Sequence, residues 1–600
     1  MINIIGGFMH NILENKKLKY ALMCTCVVVA FIFINKGFDL TDTGYIMNSY
    51  KFVFSNPESI NFSIIFTSII GNLIINIFSF FGIPSYLGLK IVSSVLSLIG
   101  IFIVIKLLKQ YFNENLLLIG SIISLLLVRN HIITLMYTNL TAIISIIIVF
   151  FLVKGLINNN KFYIFISGIL IGLNTFIRLP NIVQVILIIS IIYYSYICKN
   201  KKILKKVCIF FLGIITSILC SILLISVIFG INNFMDMIKI YLGEAIHSND
   251  AHSIMDSIKI NLNQGLNGLF WIILFGTIAF VLDVKLKSKI IFKKRIYIIA
   301  IMLPVIFVVL KMFGADGIKF IDKIYLIFYG LYQPFTIVVA FYIVMTFYYC
   351  FISDDFCKEV KLILFTSMLT TISAPMGSNQ GFAILYQSFY LQSPLVIIML
   401  EKILNNREKN SIKSNVSLRK ATIIFLLSYF ICMLIISSTQ YIYRDKNPLL
   451  LTASIDNKEL KGIKTTYSRA NEINTLLNYI DKYKDSSKKL ITYGSIPLLS
   501  YVLDMPPFFD GFNGWLEMDQ LSLDSMQNSL KESEINGEYP LIIISNVGMN
   551  NSEWPNGNTR EIMNNIKKED KKYELIINYA EKNKYNLVYE NNAFKVYSNE

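Results

Sequence analysis

Through residue 440 the chain alternates long apolar runs with short polar loops, and beyond that point the long runs stop. A helix that spans a bilayer needs about 20 predominantly apolar residues. Runs of that kind fall at 20–36, 86–108, 116–129, 138–154, 162–177, 181–198, 207–229, 264–284, 296–312, 333–352, 360–374, 383–400 and 421–440. The pattern predicts a multi-pass α-helical membrane protein with about thirteen transmembrane helices. One further apolar segment, 60–82, carries Asn61, Asn72 and Asn76 and two glycines. It is expected to lie along the outer interface or to re-enter, because a crossing there would invert every later loop.

The pattern changes in residues 441–600. Short apolar runs (Leu490–Tyr493, Leu541–Ser545, Leu587–Tyr589, Phe594–Tyr597) alternate with helix-like stretches at Ala470–Tyr483 and Arg560–Lys582. These read as buried strands and amphipathic helices, hence a small α/β domain. Residues 1–440 are therefore expected to form a transmembrane bundle with outer-face loops, and 441–600 an extracytoplasmic α/β domain. The Pro- and aromatic-rich stretch Ile496–Trp515 is expected to be a loop facing the membrane, as a sugar platform or a packing surface.

Charge sets the orientation. The whole chain carries +16, which by itself would fit a nucleic-acid binder, yet the last 160 residues hold 19 basic and 22 acidic groups. The excess therefore belongs to the bundle, with 36 basic groups against 17 acidic ones. It gathers at Lys16–Lys19, Lys106–Lys109, Lys154–Lys161, Lys199–Lys206, Lys285–Arg295 and 401–420, all on one side of the predicted topology. That side is the cytoplasm by the positive-inside rule. The N-terminus is then cytoplasmic, the first span reads as a retained signal anchor, and the C-terminal region lies outside. Nucleic acid is excluded as a partner. All eight cysteines lie in spans or inner loops, with no CxxC pair and no Cys/His cluster, so neither a disulfide framework nor a zinc site is expected.

Candidate chemistry follows from the sidedness. The stretch FDLTDTGYIMNSY, Phe38–Tyr50, puts Asp39 and Asp42 where the first span leaves the bilayer. Carboxylates at that depth cost roughly 2.5–3.5 kcal/mol each at a helix centre, so they are functional or pushed into water. Asp42 is a candidate general base, with Asp39 beside it. The bland alternative is that Thr41 or Asp42 caps the short helix that follows. Tyr45 on that helix is a candidate substrate contact. On the same outer face, Arg178 in FIRLPN suits a phosphate through paired hydrogen bonds, or else snorkels at the interface. Arg129, His131 and Asn139 in RNHIITLMYTN, His247 in GEAIHSNDAH, and Ser378 and Asn379 in PMGSNQG complete the candidate binding residues. His247 and His252 are five apart, unlike a helical zinc pair, and no metal ligands are assigned. No Walker loop and no GxGxxG entering a helix is present, which disfavours ATP-driven transport and nucleotide-sugar chemistry.

An N-terminal span, an outer loop opening with Asp-X-Gly-Tyr, about thirteen spans and an outer C-terminal domain together resemble the GT-C glycosyltransferases. The pattern is similar to the family 39-like membrane transferases, the protein O-mannosyltransferases and lipid A aminoarabinose transferases. The resemblance implies a first-loop catalytic Asp at Asp42 and a polyprenyl-phosphate sugar donor. It also implies an acceptor outside the cytoplasm: a cell-surface glycan, glycolipid or protein. An Arg at an outer helix end, here Arg178, would meet the lipid phosphate. Thr43 stands where Glu is common, so Asp39 is the remaining second carboxylate. No cofactor is implied by the residues, although the resemblance leaves room for a divalent cation. Two rivals stay open. A polysaccharide polymerase or ligase would carry its charges in a large middle loop. A flippase or transporter would show paired repeats with midplane charges.

Overall fold

The computed structural model describes residues 16–129, 134–199, 203–247, 258–266, 269–270, 273, 333–376, 381–405, 442–483, 489–517, 521–550 and 552–599. The spans expected at 296–312 and 421–440, and most of 264–284, lie outside the described residues.

In chain order the helices before residue 406 are α1 (Lys16–Phe31), α2 (Asp42–Phe52), α3 (Ile65–Phe80), α4 (Ser85–Leu108), α5 (Glu114–Arg129), α6 (Tyr137–Ile157) and α7 (Lys161–Ile177). There follow α8 (Ile188–Ile197), α9 (Ile203–Phe229), α10 (Ile231–His247), α11 (Gln333–Phe351), α12 (Lys358–Ser373) and α13 (Phe389–Asn405). Among the described residues five helical segments are long and apolar enough to cross a membrane: Phe62–Phe80, Ser85–Leu108, Tyr137–Ile157, Leu179–Ile197 and Ile203–Phe229. The single span read at 181–198 is a 3-10 turn series, Leu179–Leu187, that continues into α8. A buried amide network holds it there. Asn181 donates to Thr141 Oγ1 at 2.8 Å, Asn174 to Gln184 at 2.9 Å, and Gln184 to Ser145 at 2.7 Å.

Residues 442–599 build a four-stranded sheet from β3 (Leu490–Tyr493), β4 (Leu541–Ser545), β5 (Asn586–Glu590) and β6 (Phe594–Ser598), in the order β3-β4-β6-β5. Strands β3 and β4 are parallel and buried throughout, as their unbroken apolar runs require. A small antiparallel pair, β1 (Ala453–Ser454) and β2 (Lys464–Thr465), lies nearer the bundle. Helices α14 (Tyr467–Ile480), α15 (Leu498–Leu503), α16 (Leu523–Asn536), α17 (Thr559–Glu569) and α18 (Lys571–Lys582) complete this region.

Contacts fix which end of the bundle carries the C-terminal region. Ser85 at the start of α4 bonds Glu459 and Tyr501, each at 2.6 Å. Tyr50 donates to Leu135 O just before α6, and Thr67 to Ile177 O at the end of α7. The ends of α4, α6 and α7 remote from it gather the basic residues. There Lys19 pairs with Glu114, Lys154 bonds Gln110 at 3.1 Å, and Phe112 packs on Phe356 at 6.0 Å. The segment 60–82 is flanked by Asn61, which bonds Asn513, and by Ser85, which bonds Glu459. Both flanks of α3 therefore contact the C-terminal region. The exposed side of α3 mixes apolar Leu73, Ile77 and Phe80 with polar Asn76 and Ser79.

The loop Ile496–Trp515 docks on α2. Asn48 is fully buried and donates to Pro497 O at 2.7 Å and to Asn513 O at 2.8 Å. Phe508, Phe509 and Phe512 are buried in the core of the C-terminal region itself, so these rings face neither a sugar nor the membrane. Gly44 permits the close approach of α2 to α15: a Cβ there would lie 2.1 Å from Leu498 N.

Candidate active site

The turn between α1 and α2 is organised by Asp39. Its carboxylate accepts from Thr41 N at 3.0 Å, Thr41 Oγ1 at 2.6 Å and Thr43 N at 2.8 Å. Neither Thr41 nor Asp42 caps α2 through its side chain; Asp39 satisfies those N–H groups from outside the helix. Asp39, expected as a second carboxylate of the site, is 2 % exposed and occupied in holding the turn. That leaves Asp42, at the first position of α2, to face outward.

Asp42 meets a strap from the C-terminal region. Residues Ile442–Asp445 form a tight turn closed by Asp445 N donating to Ile442 O at 2.8 Å. Tyr443 OH donates to Asp42 Oδ2 at 2.6 Å, and the Arg444 guanidinium lies 2.9 Å from the same oxygen. The Asp42 side chain keeps 26 % of its surface exposed and Arg444 18 %. Burial pushes the Asp42 carboxyl above the usual aspartate range. Arg444 opposes that push, Asp39 adds to it, and the Tyr443 hydroxyl opposes it.

Asp445 and Arg469 anchor the strap. Asp445 Oδ2 accepts from Phe38 N at 3.0 Å and Thr465 Oγ1 at 2.9 Å, while its Oδ1 accepts from Arg469 at 2.9 Å. Arg469 also donates to Arg444 O, Ser552 O and Trp554 O, and its guanidinium lies 4.5 Å from the Trp554 ring centre. None of these four strap and anchor residues stood out in the sequence. They are 400 residues from Asp42, and no local spacing links them to it.

Arg178 joins α7 to the 3-10 segment in extended conformation and is 7 % exposed. Its N–H donates to Asn174 O and its carbonyl accepts from Asn181 N, so the amide network above also sets its position. The guanidinium lies 5.8 Å from the centre of the Tyr137 ring. The Tyr137 phenol interacts electrostatically with both Arg178 and Asp42. Asp42 and Arg178, read separately from the sequence, thus share Tyr137 as a neighbour.

Other expected contacts lie elsewhere. Tyr45 is buried edge-on to Trp515 at 6.1 Å and serves the packing of α2 on the C-terminal region. Asn139 accepts from Met136 N at 3.0 Å and donates to Ser93 Oγ at 2.8 Å. It lines a cavity with Lys36, Lys90, Ser93, Tyr390 and Ile442. His131, Ser378 and Asn379 lie outside the described residues, as do the side chains of Arg129 and His247.

That cavity holds two lysine amines. Lys90, 6 % exposed, donates to Lys36 O at 2.5 Å and to Gly37 O at 3.5 Å, and Lys36 donates to Leu451 O. Among the described residues neither amine forms an ion pair with a carboxylate. A lysine inside an apolar span, away from the basic cluster at its end, is itself a functional signal, so Lys90 was legible within 86–108. Among the described residues no group of three or more His, Cys, Asp or Glu side chains could hold a metal. The Asp pair does not fit a divalent cation either, because N–H and O–H donors fill Asp39 and a guanidinium faces Asp42 Oδ2.

No protein-family profile matches the chain, and no curated protein matches it. Among solved structures, ArnT from Cupriavidus metallidurans, bound to undecaprenyl phosphate, aligns over 97 % of this chain and 98 % of its own. Identity is 10 % and the TM-score 0.47. The Archaeoglobus fulgidus oligosaccharyltransferase in its apo form aligns over 71 % of this chain and 56 % of its own, at 11 % identity and a TM-score of 0.39. The same enzyme tethered to an acceptor peptide covers 88 % and 69 % respectively, at 11 % identity and a TM-score of 0.44. At these scores the function has to be argued from the residues of the chain itself.

Proposed function

We propose that this protein is an integral-membrane glycosyltransferase of the GT-C type. It moves a hexosyl or pentosyl unit from a polyprenyl-phosphate donor to an acceptor outside the cytoplasm: a cell-surface glycan, a glycolipid or a protein. In this reading about thirteen helices span the membrane, the basic end faces the cytoplasm, and residues 441–600 form a domain on the outer side.

The observation that carries the reading is the pairing of a part-exposed carboxylate with nearby cations, at the bundle end away from the basic loops. Asp42 Oδ1 takes the proton from the acceptor hydroxyl as its oxygen attacks the anomeric carbon. The bond from that carbon to the donor phosphate oxygen breaks, and the lipid phosphate leaves with the electron pair. Arg178 stabilises the charge that develops on the leaving phosphate, and the Lys90 and Lys36 amines line a cavity that also touches Ile442 of the strap. Fixed cations aimed at a developing negative charge are usually the largest single contribution in such a step.

The test is transfer of labelled sugar from a polyprenyl-phosphate donor by purified protein in liposomes. Asp42→Asn is expected to fold normally and lose transfer by at least about 100-fold, in line with the loss of a general base. Near-normal turnover in that variant rejects the assignment.

A further inference from the structure

We propose that the strap Ile442–Asp445 orients the Asp42 carboxylate, holding Oδ2 so that Oδ1 is the atom presented to the acceptor, and that Asp445 and Arg469 are positioning residues acting through Arg444. The catalytic half of this statement rests on the sugar-transfer reading above; the geometric half does not.

Two donors from consecutive residues converge on a single oxygen, at 2.6 Å from Tyr443 and 2.9 Å from Arg444. Among the described residues no donor bonds Oδ1. A carboxylate held this way cannot rotate freely, and its side chain keeps 26 % of its surface exposed. Such freezing is how an enzyme keeps a reacting group near its attack geometry.

The strap's own conformation requires support. Arg444 has φ +55°, the left-handed region that costs an ordinary residue about 1 kcal/mol. Arg469 donates to the carbonyl of Arg444 at 2.9 Å and to the carboxylate of Asp445 at 2.9 Å, which locks this turn from behind. Asp445 also accepts from Phe38 N of the bundle loop and from Thr465 of β2. The strap is therefore tied to both halves of the molecule, one residue from the guanidinium that touches Asp42. The C-terminal region then supplies part of the active site, beyond any role in choosing the acceptor.

The test follows the titration of Asp42 directly, in full-length protein reconstituted in liposomes. Its modification by a water-soluble carbodiimide is mapped by mass spectrometry against pH. The charged or titratable groups facing Asp42 are Asp39 from its own turn, Tyr443 and Arg444 from the strap, and Tyr137 from α6. Arg444→Gln is expected to raise the modification midpoint by about 1–3 pH units, the usual effect of losing a cation at this distance. Tyr443→Phe shifts it the same way by less, and Asp445→Asn shifts it through the displaced strap. Arg444→Lys, which keeps the charge, stays near wild type and covers the case in which Arg444→Gln fails to fold.

The control is Lys51→Met. Lys51 makes another tail–bundle ion pair, 2.7 Å to Asp504, nine residues and so roughly 13 Å along α2 from Asp42. It is expected to leave the midpoint unchanged. Unchanged midpoints in folded Arg444→Gln and Asp445→Asn, or an equal shift in Lys51→Met, overturn the strap. If the variants show these shifts while the wild-type protein transfers no sugar, the strap stands and the catalytic reading is overturned.

Discussion

Asp445 and Arg469 form a 2.9 Å ion pair in which neither side chain is exposed to solvent. Removing one partner of such a pair strands the other charge in a medium that cannot solvate it, at a cost of about 3–5 kcal/mol. Asp445→Ala is therefore expected to lower the thermal unfolding midpoint sharply in detergent. The double variant Asp445→Leu with Arg469→Met leaves no stranded charge and is expected to recover most of the loss. A drop in Asp445→Ala no larger than in the double variant would contradict this account.

Gly44 makes a second, independent prediction. A side chain there meets the Leu498 backbone at 2.1 Å, and backbone cannot yield as a rotamer can. Gly44→Ala should force α2 and α15 apart at a cost of about 1–3 kcal/mol. The Leu498 N–H, which donates to Leu40 O at 3.1 Å, should then lose protection. Hydrogen exchange over 496–503 measures it; unaltered protection would mean that the two helices separate more readily than the contact implies.

The two halves of this site differed in how legible they were, for physical reasons. Asp42 and Arg178 stood out because each is an ionisable group next to an apolar run, a local contrast that lipid makes costly. Asp42 reads as the base with Asp39 as a second carboxylate, yet the spacing of Asp39 to Thr41 and Thr43 is that of a side chain turning back onto nearby N–H groups. That pattern was present and went unread. Tyr443 and Arg444 carried no such signal, since their partner is set by how the C-terminal region docks. For segment 60–82 the loop charges predict a non-crossing element, and its flanking residues Asn61 and Ser85 both contact the C-terminal region. The fully buried strands β3 and β4 were legible as short apolar runs, whereas β1 and β2, two residues each, were too short for any periodicity.

The cations separate by position. Arg178, beside Tyr137, is the one proposed to meet the leaving phosphate, so Arg178→Lys should lower kcat by at least about tenfold, because a point charge cannot reproduce the planar fork. Lys90 lines the neighbouring cavity, so Lys90→Met should raise KM for the lipid donor more than it lowers kcat. Steady-state kinetics with varied donor distinguishes the two, and the reverse pattern would exchange their roles.

The pH dependence of transfer follows from the state of Asp42. The base must be ionised to accept a proton, and burial raises its pKa even against Arg444. The ionised fraction therefore falls as pH drops through that raised value. The acid limb of kcat/KM should lie above the range of an ordinary aspartate, about 3.9. Activity is complete above the limb and is lost below it, with a slope of one proton. The folded protein should remain intact across the limb, which parallel measurements of unfolding at each pH verify. An acid limb at or below the ordinary aspartate range would mean that Arg444 outweighs burial at this carboxylate. Asp42 would then be a weak base, poorly matched to taking a proton from the acceptor.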